Sequence, residues 1–405
     1  MIPDRAATLT EAARLRALFE NAGAQPVETA ILQPAETLLD LYGEDIRARA
    51  YVTSDALRGE QMLRPDFTVP VVQMHMQHGT EPARYTYSGE VFRRQEEDPA
   101  RANEYIQVGY EIFERDAPDA ADAEVFSMVF NILRPLGLRA ATGDIGILMA
   151  AVEGLRTTDR RKAALRRHIW RPRRFRALMD RFSGRSPIPE ARAALLAAKD
   201  PMADAGPNVG LRGPDEIHSR INALREDAAT PSIARAEVDL LDAILAVRET
   251  SDNALERLRD IAVDMAAIQP AVARLARRLD ALEARGIDIT RLDFEASYGR
   301  VQMEYYDGFV FGFHAENRPD LPPVATGGRY DALTRQLGAG AESPAVGGVI
   351  RPGLVLALGG AYEPETGGAV QGAADGQDLR LVRAARHRTG ACRRRSRICG
   401  IRSRH

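Results

Sequence analysis

Cysteine is almost missing from this chain: Cys392 and Cys399 are the only two, both near the C-terminus and spaced unlike a zinc or redox motif. Neither a disulfide framework nor a thiolate metal site is indicated, so the fold has to stand on packing. Lysine is nearly as scarce, with only Lys162 and Lys199 among 55 basic residues, both in polar or Ala-rich helical stretches. Codon bias accounts for the arginine preference, and no good candidate remains for a Schiff-base or P-loop lysine. The patterns GxxxxGK(S/T), HExxH and GxSxG do not occur either, which removes several large enzyme classes. No apolar run is long enough to span a bilayer, and Met1 leads straight into a helical pattern without a basic segment and an apolar segment behind it. A cytoplasmic location is the resulting expectation. Large charge of either sign is also lacking. A formal net charge of −2 and a pI near 6.4 give no global field that would gather nucleic acid or an anionic membrane.

What is present is a chain of 405 residues, 45% hydrophobic, enough to bury a full core and to form two or three domains. Residues 8–22 carry Ala12, Leu15, Phe19 and Ala22 at helical spacing, with Thr8 or Thr10 as N-cap and Gly23 as the stop. Between Val27 and Phe113 the period shortens, and 51–53, 61–63, 84–87 and 105–113 read as strands around helical stretches at 35–42 and 70–77. From Asp122 to about Arg285, Ala, Leu, Arg and Glu recur with helical periodicity, interrupted at 183–189 and 201–214. Strand character returns at 292–313, where Asp307-Gly308 between two aromatic-rich runs signals a two-residue hairpin. The expected architecture is α+β, a mainly antiparallel sheet flanked by helices, with strands from both ends of the sequence in one sheet. Residues 1–358 make this domain, with a helical insertion at about 150–285. Residues 359–405 form an Arg-dense tail without apolar period, expected to be disordered or aberrant.

The most informative segment is 104–113, EYIQVGYEIF, which alternates strictly. Ile106, Val108, Tyr110 and Ile112 point one way, Gln107, Gly109 and Glu111 the other. Either the polar face is an ordinary solvent-facing strand with a packing glycine, or the glycine leaves room for a ligand and Glu111 offers it a charge. Two further features stay open. His75 and His78 sit at i, i+3, a spacing that can hold metal, but with no third ligand nearby in sequence they read as a wet helix face. The basic run 160–176, with Trp170, is either a solvated face or a contact surface for an acidic partner.

Phe92-Arg93-Arg94-Gln95 followed by the 105–113 strand resembles motif 2 of the class II histidyl-tRNA synthetases. Leu63-Arg64-Pro65-Asp66-Phe67-Thr68 is similar to the family's Leu-Arg-Pro-Glu-Gly-Thr, while Tyr305-Tyr306 and Gly327-Gly328-Arg329-Tyr330-Asp331 resemble its two histidine-specific motifs. The resemblance implies a class II synthetase-like catalytic domain with a histidine pocket. Asp66, Thr68 and Gln107 would surround the α-amino group; Glu111 and Tyr306, beside Tyr305, would hold the imidazole; Tyr330, next to Arg329, would close that side; Arg93 would face the carboxylate. An ammonium needs such acceptors, and an imidazole needs one acceptor and one group that both donates and accepts.

The departures carry as much information. Adenylate formation builds negative charge on phosphorus, and cations placed on it supply much of the acceleration. Of the three arginines the family uses, only Arg93 survives; the others fall on Val301, adjacent to Arg300, and on Leu354. Arg351-Pro352 is out of keeping with the motif 3 helix, because proline inside a helix removes a donor. Glu96-Glu97-Asp98 replaces basic residues in the motif 2 loop, and Gln95 replaces the adenine-reading glutamate. After motif 3, where the family continues with an anticodon-binding domain of roughly a hundred residues, only the Arg-dense tail stands, and the expectation is that such a domain is missing. A kept amino-acid pocket beside a crippled ATP site resembles the regulatory subunits of short-form ATP phosphoribosyltransferases. That resemblance implies a subunit with no catalysis, cofactor or metal of its own, and with neither nucleic acid nor membrane as partner. It would be a homodimer within a hetero-octamer with the catalytic subunit, L-histidine being the feedback effector of the first step of histidine biosynthesis. A shortened active histidyl-tRNA synthetase and a free-standing histidine-binding adaptor are the alternatives.

Overall fold

Asp4, rather than either threonine, opens the first helix, Arg5–Asn21: its carboxylate accepts the Ala7 amide at 3.3 Å. Thr8 and Thr10 lie inside the helix and donate their hydroxyls to the carbonyls of Asp4 and Ala6. Ala12, Leu15 and Phe19 form its buried stripe, and the chain leaves through Gly23 at φ 94°, a left-handed conformation that glycine adopts without strain. The computed structural model describes residues 4–42, 46–94, 102–203, 205–207, 209–300 and 305–360.

Twelve strands occur among the described residues: β1 (Gln25–Pro26), β2 (Leu32–Pro34), β3 (Val52–Asp55), β4 (Gly59–Leu63), β5 (Ala83–Phe92), β6 (Glu104–Phe113), β7 (Arg139–Asp144), β8 (Arg248–Thr250), β9 (Asp293–Glu295), β10 (Phe309–His314), β11 (Ala325–Arg329) and β12 (Ala345–Ile350). Nine form one sheet in the order β1-β5-β6-β12-β11-β10-β7-β9-β8, and β2-β4-β3 make a small second sheet. Only β1 with β5 and β7 with β9 run parallel, so the sheet is mainly antiparallel and joins both ends of the chain as the sequence pattern implied. Helices Arg5–Asn21 and Pro118–Leu133 cover one face, where Phe19 stacks on Tyr110 at 5.0 Å and Phe126 meets Phe309, Phe311 and Phe313. The other face lies against helix Thr68–His78 and carries the cavity described below.

Three local readings need correction. The helical block is broken by β7 and β8. Arg139-Ala-Ala-Thr-Gly-Asp is too short and alanine-rich to show a period of two, and its pairing with β10 over six residues decides the conformation. Asp307-Gly308 is not a hairpin turn, since β10 pairs with β11 and β7. Asp307 instead caps helix Asp331–Leu337, its carboxylate accepting the amides of Asp331 at 3.0 Å and Ala332 at 2.7 Å. Finally, Pro352 fits its helix, Pro352–Ala357, because it occupies the first position, where no intrahelical donor is needed.

The helices that follow β7 are fastened to the sheet by charge as well as packing. Helix Gln269–Glu283 brings in Arg278, 1% exposed, which bonds Asp122 and Asp144 at 3.3 and 2.7 Å. Of the basic run, Arg161 is buried on Asp227 at 2.7 Å, and the Trp170 indole donates to the Tyr306 carbonyl at 3.3 Å. These two residues are therefore structural.

Candidate functional site

Glu111 is the floor of a cavity of about 260 Å³ on the polar face of β6. The strict alternation of β6 places Gln107, Gly109 and Glu111 on this face, yet it is not a solvent-facing strand: Gln107 and Glu111 are both 1% exposed. Eight of the nine sequence-derived residues line the cavity: Asp66, Thr68, Arg93, Gln107, Glu111, Tyr305, Tyr306 and Tyr330. The ninth, Arg329, stands apart. Its side chain bonds Asp122 at 2.7 Å and Asp331 at 3.0 Å, so in this structure it braces β11 rather than facing the cavity.

Hydroxyl groups converge on the Glu111 carboxylate. Tyr87 donates to Oε1 at 2.8 Å, Thr68 to the same oxygen at 3.3 Å, and Tyr330 to Oε2 at 2.5 Å. Burial pushes the Glu111 carboxyl up to about 7, with Asp66 adding to the rise and the three hydroxyls opposing it. The neighbouring phenols of Tyr87, Tyr306 and Tyr330 are raised too, first by burial and then by the Glu111 charge, so they remain donors at neutral pH.

Glycines make this convergence possible. A Cβ on Gly347 would lie 1.4 Å from Glu111 Oε2, and one on Gly109 would lie 2.1 Å from the Tyr87 ring. The gap at Gly109 is therefore filled by Tyr87, its cross-strand partner on β5, and is not open space for a ligand.

Asp66 and Thr68 stand at the start of helix Thr68–His78, where Asp66 accepts the Val69 amide at 3.3 Å. Tyr305 donates to Thr68 Oγ1 at 3.4 Å. Among the described residues, Gln107 keeps a buried side-chain oxygen, Oε1, without a hydrogen-bond partner. An unmet buried acceptor costs about 1–3 kcal/mol, so a donor placed there is rewarded. Gln107 lies four residues from Glu111, about 14 Å of strand, and beyond it the cavity turns cationic. Arg93 is anchored through Nε to the Pro65 carbonyl at 2.7 Å, and Arg351 through Nη1 to that of Pro323 at 2.6 Å; both flank the Tyr105 ring, at 6.0 and 5.5 Å. The site is thus polar along its length, carboxylates and hydroxyls at one end and guanidiniums at the other. That suits a small zwitterion carrying a further N–H group.

Tyr87 and Arg351 escaped the sequence reading. Tyr87 required the β5–β6 register, which puts it opposite Gly109. Arg351 was passed over because Arg351-Pro352 read as out of keeping with the motif 3 helix on account of its proline. Leu354 is partly buried against the core and offers no charge. Val301, Gln95 and Glu96-Glu97-Asp98 lie outside the described residues, as does the tail from 361 onward. His75 is no wet helix face: it is 4% exposed, stacks on Phe113 at 3.8 Å and bonds Tyr85 at 3.1 Å.

Comparison with known proteins gives the same direction. The family model described as histidyl-tRNA synthetase matches residues 1–203 and 218–352. The ATP phosphoribosyltransferase regulatory subunits of Brucella canis and Brucella suis are each 33% identical over 367 residues, spanning 85% of this chain and 96% of the relative. Among solved structures, an ATP phosphoribosyltransferase regulatory subunit/histidyl-tRNA synthetase from Bacillus halodurans aligns with a TM-score of 0.61 at 19% identity, covering 87% of this chain and 79% of that one. A histidine–tRNA ligase subunit from Alicyclobacillus acidocaldarius aligns at 0.55 and 23% identity, covering 88% and 94%. At these identities the structures speak for the fold, which is the class II synthetase fold.

Proposed function

From the premise that this chain belongs to the histidyl-tRNA synthetase-like family of ATP phosphoribosyltransferase regulatory subunits, we propose that it is a non-catalytic sensor of L-histidine acting on a short-form catalytic subunit. In this reading it supports the first step of histidine biosynthesis, the condensation of ATP with phosphoribosyl pyrophosphate, and relays feedback inhibition. It works in the cytoplasm as a dimer within a hetero-octamer.

The observation that carries the reading is the polar cavity itself. Residues from separated segments of the chain converge there on a buried carboxylate and an unmet amide oxygen. The ligand's imidazole would meet Glu111 and Tyr306 under Tyr330, its ammonium would meet Asp66, Thr68 and Gln107, and its carboxylate would face Arg93. A pocket of this size is below the usual range for drug-sized ligands and suits an amino acid. Own aminoacylation is absent in this proposal because two of the three phosphate-facing arginines are replaced by Val301 and Leu354.

The test joins binding to regulation. L-Histidine titrated calorimetrically into the chain binds at one site. Glu111→Ala abolishes inhibition by histidine in the reconstituted complex and leaves activation of the catalytic subunit intact. Unchanged inhibition in that variant overturns the site, and failure to copurify with a short phosphoribosyltransferase overturns the partner. Histidine-dependent exchange of pyrophosphate into ATP is expected to be nil; measurable exchange restores the synthetase reading.

A further inference from the structure

Several elements that build the histidine cavity also border a second one. Helix Thr68–His78 has Thr68 in the first cavity and His75 and Met76 in the second, while β6 and β12 lead into it through Glu114 to Asp116 and through Ala341 to Ser343. Its volume is about 480 Å³, larger than the first.

We propose that this second cavity binds a small organic cation through a guanidinium or primary ammonium group. Four carboxylates line it, those of Glu81, Glu114, Asp116 and Glu342, against the single guanidinium of Arg115. Arg115 is already committed, donating to Glu81 Oε1 at 2.8 Å and to the Glu342 carbonyl at 2.5 Å. Arg335, outside the lining, takes the Glu342 carboxylate at 2.7 and 3.0 Å.

Acidity alone does not make a site. The independent observation is a pair of buried oxygens on residues of the wall that have no hydrogen-bond partner among the described residues: Oγ of Ser343, a residue 2% exposed, and Oε2 of Glu81. Both accept hydrogen bonds, and Glu81 does so with charge. His75, stacked on Phe113, adds a ring whose burial lowers its affinity for a proton and keeps it neutral, so it does not oppose a cation. A ligand with several N–H donors on one positive centre carries donors suited to these oxygens and a charge that offsets the surplus carboxylates. A quaternary ammonium has the charge without the donors. An anion is repelled.

The experiment uses the full chain at constant ionic strength. Agmatine and methylguanidinium are titrated calorimetrically, with choline as the donor-free cation. Agmatine is expected to bind saturably at one site and choline at least tenfold more weakly. Glu81→Gln weakens agmatine at least tenfold, and Ser343→Ala severalfold, while Glu111→Gln in the first cavity leaves it unchanged. Agmatine binding no better than choline, unaltered by Glu81→Gln, or lost in Glu111→Gln overturns the proposal. Should Glu81→Gln fail to fold, the crystal structure of the unaltered chain with agmatine decides: the guanidinium lies within hydrogen-bonding distance of Glu81 and Ser343, or the site is refuted. None of these outcomes depends on histidine occupying the first cavity.

Discussion

Glu111 holds an expensive position, a carboxylate 1% exposed whose proton is retained to about pH 7. Its folded-state pKa lies above that of an unfolded glutamate. The stability this contributes is therefore full below about pH 4.5 and is lost as pH rises through about 7. The span corresponds to on the order of 3 kcal/mol. Glu111→Gln is expected to flatten the fall in thermal stability between pH 5 and 8, read by melting curves, while weakening histidine at least tenfold. The two readouts separate the cost of the charge from its use. Gly347→Ala tests the same carboxylate from the opposite strand, since the new methyl would sit 1.4 Å from Glu111 Oε2. It should abolish histidine binding by calorimetry and lower the melting temperature, whereas the neighbouring Val349→Ala keeps binding within severalfold. Glu111 was legible because strand alternation and a motif both mark it. The reason for Gly347 was not, because only the β6–β12 register puts it opposite Glu111.

At the scale of elements, a buried charge cluster ties helix Gln269–Glu283 to the sheet. Asp122, 0% exposed, accepts from Arg329 at 2.7 Å and from Arg278 at 3.3 Å, joining helix Pro118–Leu133 to β11 and helix Gln269–Glu283. Without Asp122, Arg278 keeps Asp144 and Arg329 keeps Asp331, but each loses a charged acceptor inside a low-dielectric interior, a loss of about 1.5–3 kcal/mol for each hydrogen bond to a charged group. Asp122→Ala is thus expected to shift the urea midpoint strongly, and a shift below about 1 kcal/mol would place the bracing elsewhere. Pro352→Ala, at a first helical position, breaks no intrahelical hydrogen bond but exchanges a buried ring for a methyl, and should lower stability by about 1 kcal/mol. Long periodic elements such as Arg5–Asn21, Ala35–Tyr42 and β6 could be read from the sequence because their patterns repeat enough to be seen. β7 could not, being six small or polar residues fixed by neighbours on both sides. Asp307-Gly308 misled because its turn chemistry is shared by helix caps, and the choice between them depends on Asp331, distant in sequence.

For the whole molecule, a histidine sensor has to bind its ligand differently in two assembly states, because equal affinity for both shifts nothing. The wall of the first cavity gives such a difference a route. Tyr330 touches Glu111 on one side, and its neighbours Arg329 and Asp331 are bonded to Asp122 and Asp307 on the other. Through Asp122, which also bonds Arg278, this network reaches helix Gln269–Glu283. Coupling of this kind is reciprocal. If histidine weakens the attachment of the catalytic subunit by some factor, the catalytic subunit must weaken histidine by the same factor. Calorimetric titration of histidine into the free chain and into the saturated complex measures one side of that equality, and titration of the catalytic subunit with and without histidine measures the other. Equal, non-unit factors are expected, both collapsing to one in Glu111→Ala; factors of one in the unaltered chain mean that histidine in this cavity does not govern assembly.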